Sequence, residues 1–304
     1  MQKIVVICGP TGVGKTGFAI ELARRFSGQI VGADSMQIYR RMTIGTAKPT
    51  AEEQAAVRHH LVDFLEPDQP FDAAAYAREA DKVLAALDAQ NILPMVVGGT
   101  GLYIKALLYG LLDSRPVDPE LRRDLRRQAE KEGPEALHRQ LARKDPPSAA
   151  RIHPNDTYRI IRALEILATT GQPLSELRHG HGFAKPRYTA LQIGLDMPRD
   201  ALYHRIDQRV DLMLSQGLEQ EVRALLEQGF DPNLKSMQSL GYRHMVAYLQ
   251  KRADRQETLR TLKRDHRRYA KRQLTWFRAD PGVQWVQAGD VRRAEEMIRA
   301  FLSD

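Results

Sequence analysis

The chain has 304 residues, 42 % of them hydrophobic, and carries a formal net charge of +8 at pH 7. This length accommodates one large domain or two modest ones with a packed core. No apolar run reaches the roughly 20 residues of a membrane span, and no signal-peptide pattern precedes the first strand-like segment, so we expect a cytoplasmic protein without membrane contact. The single cysteine, Cys8, excludes an internal disulfide. The positive charge favours a polyanionic partner.

The first motif follows the apolar run 4–8 and consists of Gly9, Pro10, Thr11, Gly12, Val13, Gly14, Lys15 and Thr16. It fits the Gly-x-x-x-x-Gly-Lys-Thr phosphate loop, in which backbone N–H groups and a helix N-terminus bind phosphates. Lys15 adds a cation, and Thr16 offers a hydroxyl ligand for Mg²⁺. The motif predicts a diphosphate-binding site but leaves open which phosphate compound is bound.

Strand-like and helix-like segments alternate in the first third of the chain. The hydrophobic periodicity predicts strands at 3–8, 29–34, 61–65 and 92–97 and helices at 15–26, 51–58, 72–89 and 100–109. Such alternation predicts a parallel sheet with helices on both faces.

A charge-rich, helix-like stretch interrupts this alternation, and we interpret residues 116–185 as an inserted all-helical lobe. An apolar run from Tyr188 predicts a strand that rejoins the sheet. The remainder predicts helices at 201–228, 239–250 and 255–278, a strand at 284–287 and a closing helix to Ser303. The predicted fold is therefore α/β, a P-loop-containing parallel sheet formed by residues 1–115 and 186–304 plus the inserted lobe.

A carboxylate follows the second predicted strand, at the sheet edge where open α/β proteins bind ligands. Asp34 at this position is a candidate Mg²⁺ ligand or general base, or only a helix cap. No other predicted strand ends in a comparably clear apolar run followed by Asp, which argues against ATP or GTP hydrolysis. The loop 39–49 is dense in cations and hydroxyl groups, which is typical of an active-site loop or of a solvated connector.

A second glycine-rich turn, Gly98-Gly-Thr100-Gly101, follows the strand predicted at 92–97. Its glycines allow the backbone to approach a ligand closely, and the Thr100 hydroxyl adds a polar contact. By itself the pattern also fits a plain turn. Beside the phosphate loop it is a candidate for the opposite wall of one site.

The segment 262–278, wound as a helix, separates apolar residues from cations. The cationic side contains Lys263, Arg264, Arg267, Arg268, Lys271, Arg272 and Arg278. Only Asp265 neutralises it locally, so the pattern favours binding of a phosphodiester backbone over a merely solvated surface.

Two smaller groups of residues complete the candidates. Arg159 and Arg162 lie three residues apart on a lobe helix, a spacing that suits phosphate binding. The histidine pairs 59–60 and 179/181 have no acidic or cysteine partner nearby in the sequence, so we interpret them as surface or loop residues rather than metal ligands.

Six motifs in this order resemble those of the bacterial tRNA dimethylallyltransferases, or tRNA isopentenyltransferases. They are the phosphate loop, Asp34-Ser-Met-Gln-Ile-Tyr with Ile44-Gly-Thr-Ala-Lys-Pro, Gly98-Gly-Thr-Gly-Leu-Tyr, Asn155 to Glu165, Gln238-Ser-Leu-Gly-Tyr, and Tyr269 to Phe277. The resemblance covers nearly the whole chain. One departure is Gly12-Val13, where relatives often carry Ala and a variable residue, and another small side chain there leaves the loop intact.

The resemblance implies transfer of a dimethylallyl group from its diphosphate to N6 of the adenosine 3′-adjacent to the anticodon, in tRNAs that read codons starting with U. It implies Mg²⁺ as cofactor, a flipped-out target base, and Asp34, Thr100 and Lys15 as catalytic residues, with Asp34 accepting the N6 proton. The residues implied in binding the tRNA anticodon stem-loop are Asp34, Ser35, Met36, Gln37, Thr100, Arg122, Tyr158, Arg159, Ile160, Ile161, Arg162, Ser239, Leu240, Gly241, Tyr242, Arg243, Lys271, Arg272 and Arg278. We expect a monomer.

Two alternatives stay open on the sequence alone. A P-loop small-molecule or nucleotide kinase also places Asp after its second strand and carries a helical lid, although the missing second carboxylate and the cationic helix argue against it. A non-catalytic, nucleotide-gated RNA-binding module would use the same loop and cations without chemistry.

Overall fold

The computed structural model describes residues 1–111, 118–181 and 185–304. These residues form two compact units, one of Met1–Leu108 with Pro186–Asp304 and the other of Tyr109–Lys185. The predicted boundary between residues 115 and 116 and part of the predicted loop after residue 180 lie outside the described residues. Within the described ranges, no helix is both long and apolar enough to cross a membrane.

The first unit is built on a six-stranded parallel sheet of order β3-β2-β4-β1-β5-β6. Its strands are β1 (Lys3–Cys8), β2 (Gln29–Gly32), β3 (His59–His60), β4 (Pro94–Gly98), β5 (Thr189–Asp196) and β6 (Val283–Gln287). β1 has a partner on each side, so Val5 aligns with Met95 of β4 and with Leu191 of β5. The predicted parallel sheet is confirmed, and the phosphate loop leaves the carboxyl end of a central strand.

The helices number fourteen in the described residues. They are α1 (Lys15–Arg25), α2 (Ala51–Ala56), α3 (Ala73–Asp88), α4 (Gly101–Tyr109), α5 (Pro119–Glu132), α6 (Pro134–Lys144), α7 (Pro146–Arg151), α8 (Thr157–Thr170), α9 (Leu174–His181), α10 (Arg199–Ser215), α11 (Leu218–Glu227), α12 (Tyr242–Leu249), α13 (Arg255–Arg278) and α14 (Val291–Ser303).

Both faces of the sheet are covered, as the alternation predicted. Ile7 packs with Leu22 of α1 and Ile298 of α14 in one apolar cluster. Ile4 and Val6 point to the opposite face, because side chains alternate along a strand, and they too are fully buried. Burial also raises the pKa of the Cys8 thiol at the end of β1 to about 12, which makes it an unreactive core residue.

The third strand lies earlier than predicted, at His59–His60 instead of 61–65. Leu61 and Asp63 have φ of 57° and 59°, in the left-handed region that a strand does not tolerate. The prediction was wrong because apolar content alone does not reveal these turn conformations.

The predicted helix 201–228 is two helices, α10 and α11. Gly217 between them adopts φ 100°, a conformation that glycine adopts without strain and that ends a helix. The predicted helix 239–250 is shorter and begins at Tyr242.

The second unit is helical throughout its described secondary structure, from α5 to α9. Aspartates 118, 145 and 156 cap α5, α7 and α8 by accepting backbone N–H groups. Its core contains Leu137, Leu141 and Ile160, all fully buried. This unit therefore has an apolar core of its own.

Candidate functional site

The phosphate loop opens onto a cavity of about 650 Å³ in the first unit. Its walls come from the phosphate loop, the segment after β2, the turn before α12, and helices α10 and α13. The predicted site residues that line it are Thr11, Gly12, Gly14, Lys15, Thr16, Asp34, Ser35, Met36, Gln37, Ser239, Leu240, Arg243 and Arg272. The cavity thus brings the predicted diphosphate site together with residues that the family resemblance implied in base binding.

Glycine gives the phosphate loop its shape. Gly12 and Gly14 have φ of 82° and 99°, which side chains rarely adopt. A Cβ on Gly12 would also lie 2.9 Å from Cγ1 of Ile206 on α10. Gly14 caps α1 without a side-chain hydrogen bond, so the first N–H groups of α1 are left for a ligand.

Lys15 is held inside its own loop. Its Nζ donates a hydrogen bond to the Pro10 carbonyl oxygen at 2.8 Å. Burial lowers the pKa of Lys15 to about 8, although the nearby Asp34 carboxylate opposes this shift. The ammonium group is therefore a poorly solvated cation that a phosphate ligand would stabilise.

Two arginines of α10 extend this cationic site. Burial lowers the pKa of Arg209, and its Nε is buried without a hydrogen-bond partner in the described residues. Arg205 reaches the loop, since a Cβ on Gly14 would lie 3.3 Å from its Nη2. Both guanidinium groups line the cavity, and neither has a carboxylate within ion-pair distance in the described ranges, so both are available to an anion.

Sequence reasoning missed these two arginines. They lie four residues apart, on the same side of α10 as the buried Leu202 and Ile206. The spacing signals a shared helix face, but the sequence does not say that this face meets the phosphate loop.

Asp34 follows β2 with one carboxylate oxygen engaged. Oδ1 accepts hydrogen bonds from the backbone N–H of Met36 at 2.8 Å and of Gln37 at 3.3 Å. Oδ2 has no hydrogen bond among the described residues, and the side chain lines the cavity. The backbone contacts fix the carboxylate and leave its second oxygen to accept a proton or bind a metal.

The second glycine turn packs directly on the segment before Asp34. A Cβ on Gly98 would lie 2.1 Å from the Ala33 carbonyl oxygen, so only glycine fits there. Thr100 does not line the cavity. Its Oγ1 accepts the Ser35 N–H at 3.0 Å, and its N–H donates to Ala33 at 3.2 Å. The turn therefore positions the segment that carries Asp34.

Gln273 of α13 joins both glycine-containing turns. Its Oε1 accepts the Thr11 N–H at 2.8 Å, and its Nε2 donates to the Gly99 carbonyl oxygen at 2.9 Å. A Cβ on Gly99 would collide with this Nε2. Sequence reasoning did not assign a role to Gln273, although a glutamine on the apolar side of an amphipathic helix was the available signal.

The cationic side of α13 is more neutralised than the sequence indicated. Its cations pair with carboxylates in Lys263–Asp211, Arg267–Asp207, Arg278–Asp196, Arg264–Asp265 and Arg268–Asp265. Asp265 is the only carboxylate within the segment 262–278, as the sequence shows, but α10 and the end of β5 supply three more. Lys271 and Arg272 have no carboxylate partner within the described part of the chain.

Asp265 also contacts two residues of α12. Burial works against its ionisation, but hydrogen bonds from Arg264, Arg243 and His244 outweigh burial and lower its pKa to about 2. Arg243, implied in tRNA binding, donates to this carboxylate at 2.8 Å while its side chain lines the cavity. Arg272 lies over the Tyr269 ring, 5.6 Å from its centroid.

Most of the other residues implied in tRNA binding are buried or shape the backbone, and one is exposed. Gly241 precedes α12 with φ 89°, and the Tyr242 side chain is fully buried. In the second unit, Ile160 and Ile161 pack in the core, whereas Tyr158 is 74 % exposed.

Two arginines of the second unit share one buried carboxylate. Glu165 is fully buried and accepts hydrogen bonds from Arg122 through Nε and, at 2.8 Å, through Nη2. Arg162 lies 3.4 Å from the same carboxylate, and Arg159 pairs with Asp156 at 3.2 Å. The Glu165 carboxylate therefore orients Arg122 and Arg162 together.

His59 and His60 were interpreted incorrectly as surface or loop residues, since both are half-buried in β3. His59 lines the cavity, its Nδ1 lies 2.8 Å from the Val57 carbonyl oxygen, and its Nε2 is buried without a partner in the described residues. No group of three or more His, Cys, Asp or Glu side chains that would hold a metal occurs within the described ranges. Mg²⁺ needs only one or two protein oxygens when phosphates supply others, so the Thr16 hydroxyl at the cavity wall fits such an ion.

The sheet, the phosphate loop and the unpaired cations around it define a P-loop protein with a candidate anion site. The family model described as IPP transferase matches residues 37–280. The chain is 52 % identical over 301 residues to the tRNA dimethylallyltransferase of Desulfosudis oleivorans, covering 99 % of this chain and 96 % of that protein. The chain belongs to the IPP transferase family, which confirms the resemblance seen in the sequence.

Solved structures of similar proteins agree with this family membership. A tRNA isopentenylpyrophosphate transferase from Bacillus halodurans is 39 % identical with a TM-score of 0.76, covering 100 % of this chain and 97 % of that one. A eukaryotic dimethylallyltransferase, described as acting on tRNA, is 28 % identical with a TM-score of 0.86, covering 100 % of this chain and 80 % of that one. These relationships do not favour the kinase alternative.

Proposed function

We propose that the protein is a tRNA dimethylallyltransferase. It transfers a dimethylallyl group from dimethylallyl diphosphate to N6 of the adenosine 3′-adjacent to the anticodon, in tRNAs reading codons that start with U, and releases diphosphate. The observation that carries this proposal is one cavity that holds both unpaired cations around a phosphate loop and a carboxylate with a free oxygen. The activity in the names of its relatives supports the same function.

Diphosphate binding uses the phosphate loop and three cations. The N–H groups at the start of α1, Lys15, Arg205 and Arg209 bind the diphosphate oxygens. These groups also stabilise the charge that develops on the leaving diphosphate as the allylic C–O bond breaks. Lys15 exchanges its hydrogen bond to Pro10 for one to the ligand. Mg²⁺, held by Thr16 and phosphate oxygens, would neutralise further charge when bound.

Asp34 receives the proton that the reaction releases. N6 of adenine attacks the allylic carbon, the C–N bond forms as the C–O bond breaks, and one N6 proton passes to Oδ2 of Asp34. The backbone N–H groups of Met36 and Gln37 hold the other carboxylate oxygen, so the Asp34 side chain is oriented before the substrate binds. Thr100 acts on this step through Ser35 and Ala33, whose backbone it holds.

The target adenine leaves its stack to enter the cavity, at a cost of about a few kcal/mol. Ser35, Met36 and Gln37 line the cavity and are the proposed contacts of the flipped base. Lys271, Arg272 and Arg243 in the first unit are proposed contacts of the anticodon stem-loop. In the second unit the proposed contacts are Arg122, Tyr158, Arg159 and Arg162. Such phosphate contacts make the affinity salt-dependent.

The identity of the reaction is tested with unmodified tRNA, Mg²⁺ and dimethylallyl diphosphate. Mass spectrometry of the digested nucleosides is expected to show N6-dimethylallyladenosine. Parallel samples that contain ATP with nucleosides and nucleotides as acceptors are expected to show no phosphorylated product. ATP-dependent phosphorylation without prenyl transfer would support the kinase alternative instead. RNA binding without either product would support a non-catalytic module.

A further inference from the structure

A glutamate on α11 holds the loop that follows the Asp34 segment. Glu221 Oε2 accepts hydrogen bonds from the backbone N–H of Thr43 at 2.9 Å and of Ile44 at 2.8 Å, and Oε1 accepts from Gly45 at 3.1 Å. One carboxylate thus accepts three consecutive N–H groups. Because each such bond to a charged acceptor is strong, the conformation of the loop at residues 43–45 depends on Glu221.

Tyr242 reinforces this clamp from α12. Its hydroxyl donates to Glu221 at 2.5 Å, and its ring lies against Gly45, where a Cβ would come within 2.4 Å of the ring. Burial, with the Glu221 charge nearby, raises the pKa of Tyr242 well above its usual value, so the hydroxyl stays a donor. The loop is therefore fixed by contacts from two helices.

The next two residues of the loop orient the amide of Gln37. Its Nε2 donates to the carbonyl oxygens of Thr46 at 3.2 Å and Ala47 at 2.9 Å. Two carbonyl acceptors require the NH₂ group, so the amide cannot be turned around without losing both bonds. Oε1 accepts no hydrogen bond within the described part of the chain, and Gln37 lines the cavity.

We infer that Glu221, through this loop, keeps the amide oxygen of Gln37 directed to the target base and so selects a base with a 6-amino group. An oxygen acceptor there accepts one N6–H of adenine, whereas the O6 carbonyl of guanine or hypoxanthine would meet another acceptor. The second N6 proton remains available to Asp34. The inference rests on the proposed function, and Glu221 acts in it as a positioning residue.

The selectivity for a 6-amino group can be measured with two RNAs that differ only in the target base. Synthetic anticodon stem-loops carry either adenine or purine, which lacks the 6-amino group, at the target position. The dissociation constants are compared for the wild type, Gln37→Met, Glu221→Gln and Glu219→Gln. Glu219 is the matched control, since it lies on the same helix and pairs only with Arg223 among the described residues.

The preference for adenine over purine is expected to fall about 3- to 10-fold in Gln37→Met, the worth of one hydrogen bond, and in the same direction in Glu221→Gln. Affinity for inorganic diphosphate and the preference of Glu219→Gln should not change. A merely structural role would weaken both RNAs equally and leave the ratio at its wild-type value.

An unchanged ratio in Gln37→Met, with wild-type prenylation of the adenine RNA intact, would overturn the inference and leave the proposed function standing. A wild-type protein that binds neither RNA would overturn both. A lower ratio in Gln37→Met with a wild-type ratio in Glu221→Gln would remove Glu221 from the positioning role.

Discussion

Two cation-rich regions of the first unit differ in what surrounds them. Around the phosphate loop, Lys15, Arg205 and Arg209 have no carboxylate within ion-pair distance in the described residues, and burial lowers the pKa of Lys15 and Arg209. On the cationic side of α13, most cations pair with carboxylates. These carboxylates belong to α10, to the end of β5 and to Asp265 of α13 itself. The sequence shows a dense group of cations only on α13, but the structure leaves the cations around the phosphate loop unpaired, and two of them are also desolvated.

The largest effect is expected at the carboxylate that serves this anion site. Asp34→Asn keeps the size and the hydrogen bonds to Met36 and Gln37 but removes the proton acceptor. Single-turnover prenyl transfer should slow by about 10²- to 10⁴-fold, because general-base catalysis contributes a factor of that order. Binding of the anticodon stem-loop should stay close to wild type. A rate near that of the wild type would exclude Asp34 as the base.

The comparison itself is tested by one substitution in each region. Arg209→Met should weaken inorganic diphosphate binding by about tenfold to a hundredfold, since it removes a charged donor from a desolvated site. Arg267→Met, which removes a cation paired with Asp207, should leave diphosphate binding unchanged. Calorimetric titration of both variants provides the measurement. Equal losses of diphosphate affinity in the two variants would show that ion pairing with carboxylates does not distinguish the two regions.

The pH dependence of diphosphate binding tests whether the charged form of Lys15 binds the ligand. Its pKa of about 8 in the free protein means that the ammonium group deprotonates as pH rises through that value. The ligand binds the charged form, so affinity should fall by up to about tenfold between about pH 8 and pH 9. Lys15→Met should bind weakly at every pH and lose this dependence. A wild-type affinity that rises over the same range would contradict the assignment.

A smaller effect is expected on RNA binding by the cations of α13. Lys271→Gln should weaken stem-loop binding by a few fold and reduce the salt slope by about one, because Lys271 has no carboxylate partner in the described ranges. Lys263→Gln, which removes a cation paired with Asp211, should change both less. Fluorescence anisotropy over a salt series compares the two. A larger effect at Lys263 would reverse the expected order.

Local patterns predicted the fold well because each depends on neighbouring residues. The run 4–8 followed by Gly9 to Thr16 predicted a buried strand and a phosphate loop, and both are present. Errors arose where one residue's backbone decided the outcome, as at Leu61 with φ 57°. No pattern in the sequence signals that conformation for a leucine.

Without the family resemblance, the residues themselves predicted the site only on segments that leave the same sheet edge. Asp34 and the Gly98 turn were found because parallel strands end at one sheet edge. Arg209 and Gln273 were not, since each reaches the site from a helix far along the chain. Glu221 was not found either, because it contacts the loop at residues 43–45 from α11. Helix periodicity identifies their faces but not what those faces contact.

The most direct test of the central claim is transfer of a labelled dimethylallyl group from its diphosphate to unmodified tRNA in the presence of Mg²⁺. Wild type, Asp34→Asn, Arg209→Met and Arg267→Met are assayed together. Label on the adenosine next to the anticodon, strongly reduced in the first two variants and retained in Arg267→Met, is the expected result. No label on tRNA with the wild type, or undiminished label in Asp34→Asn and Arg209→Met, would contradict prenyl transfer in this cavity.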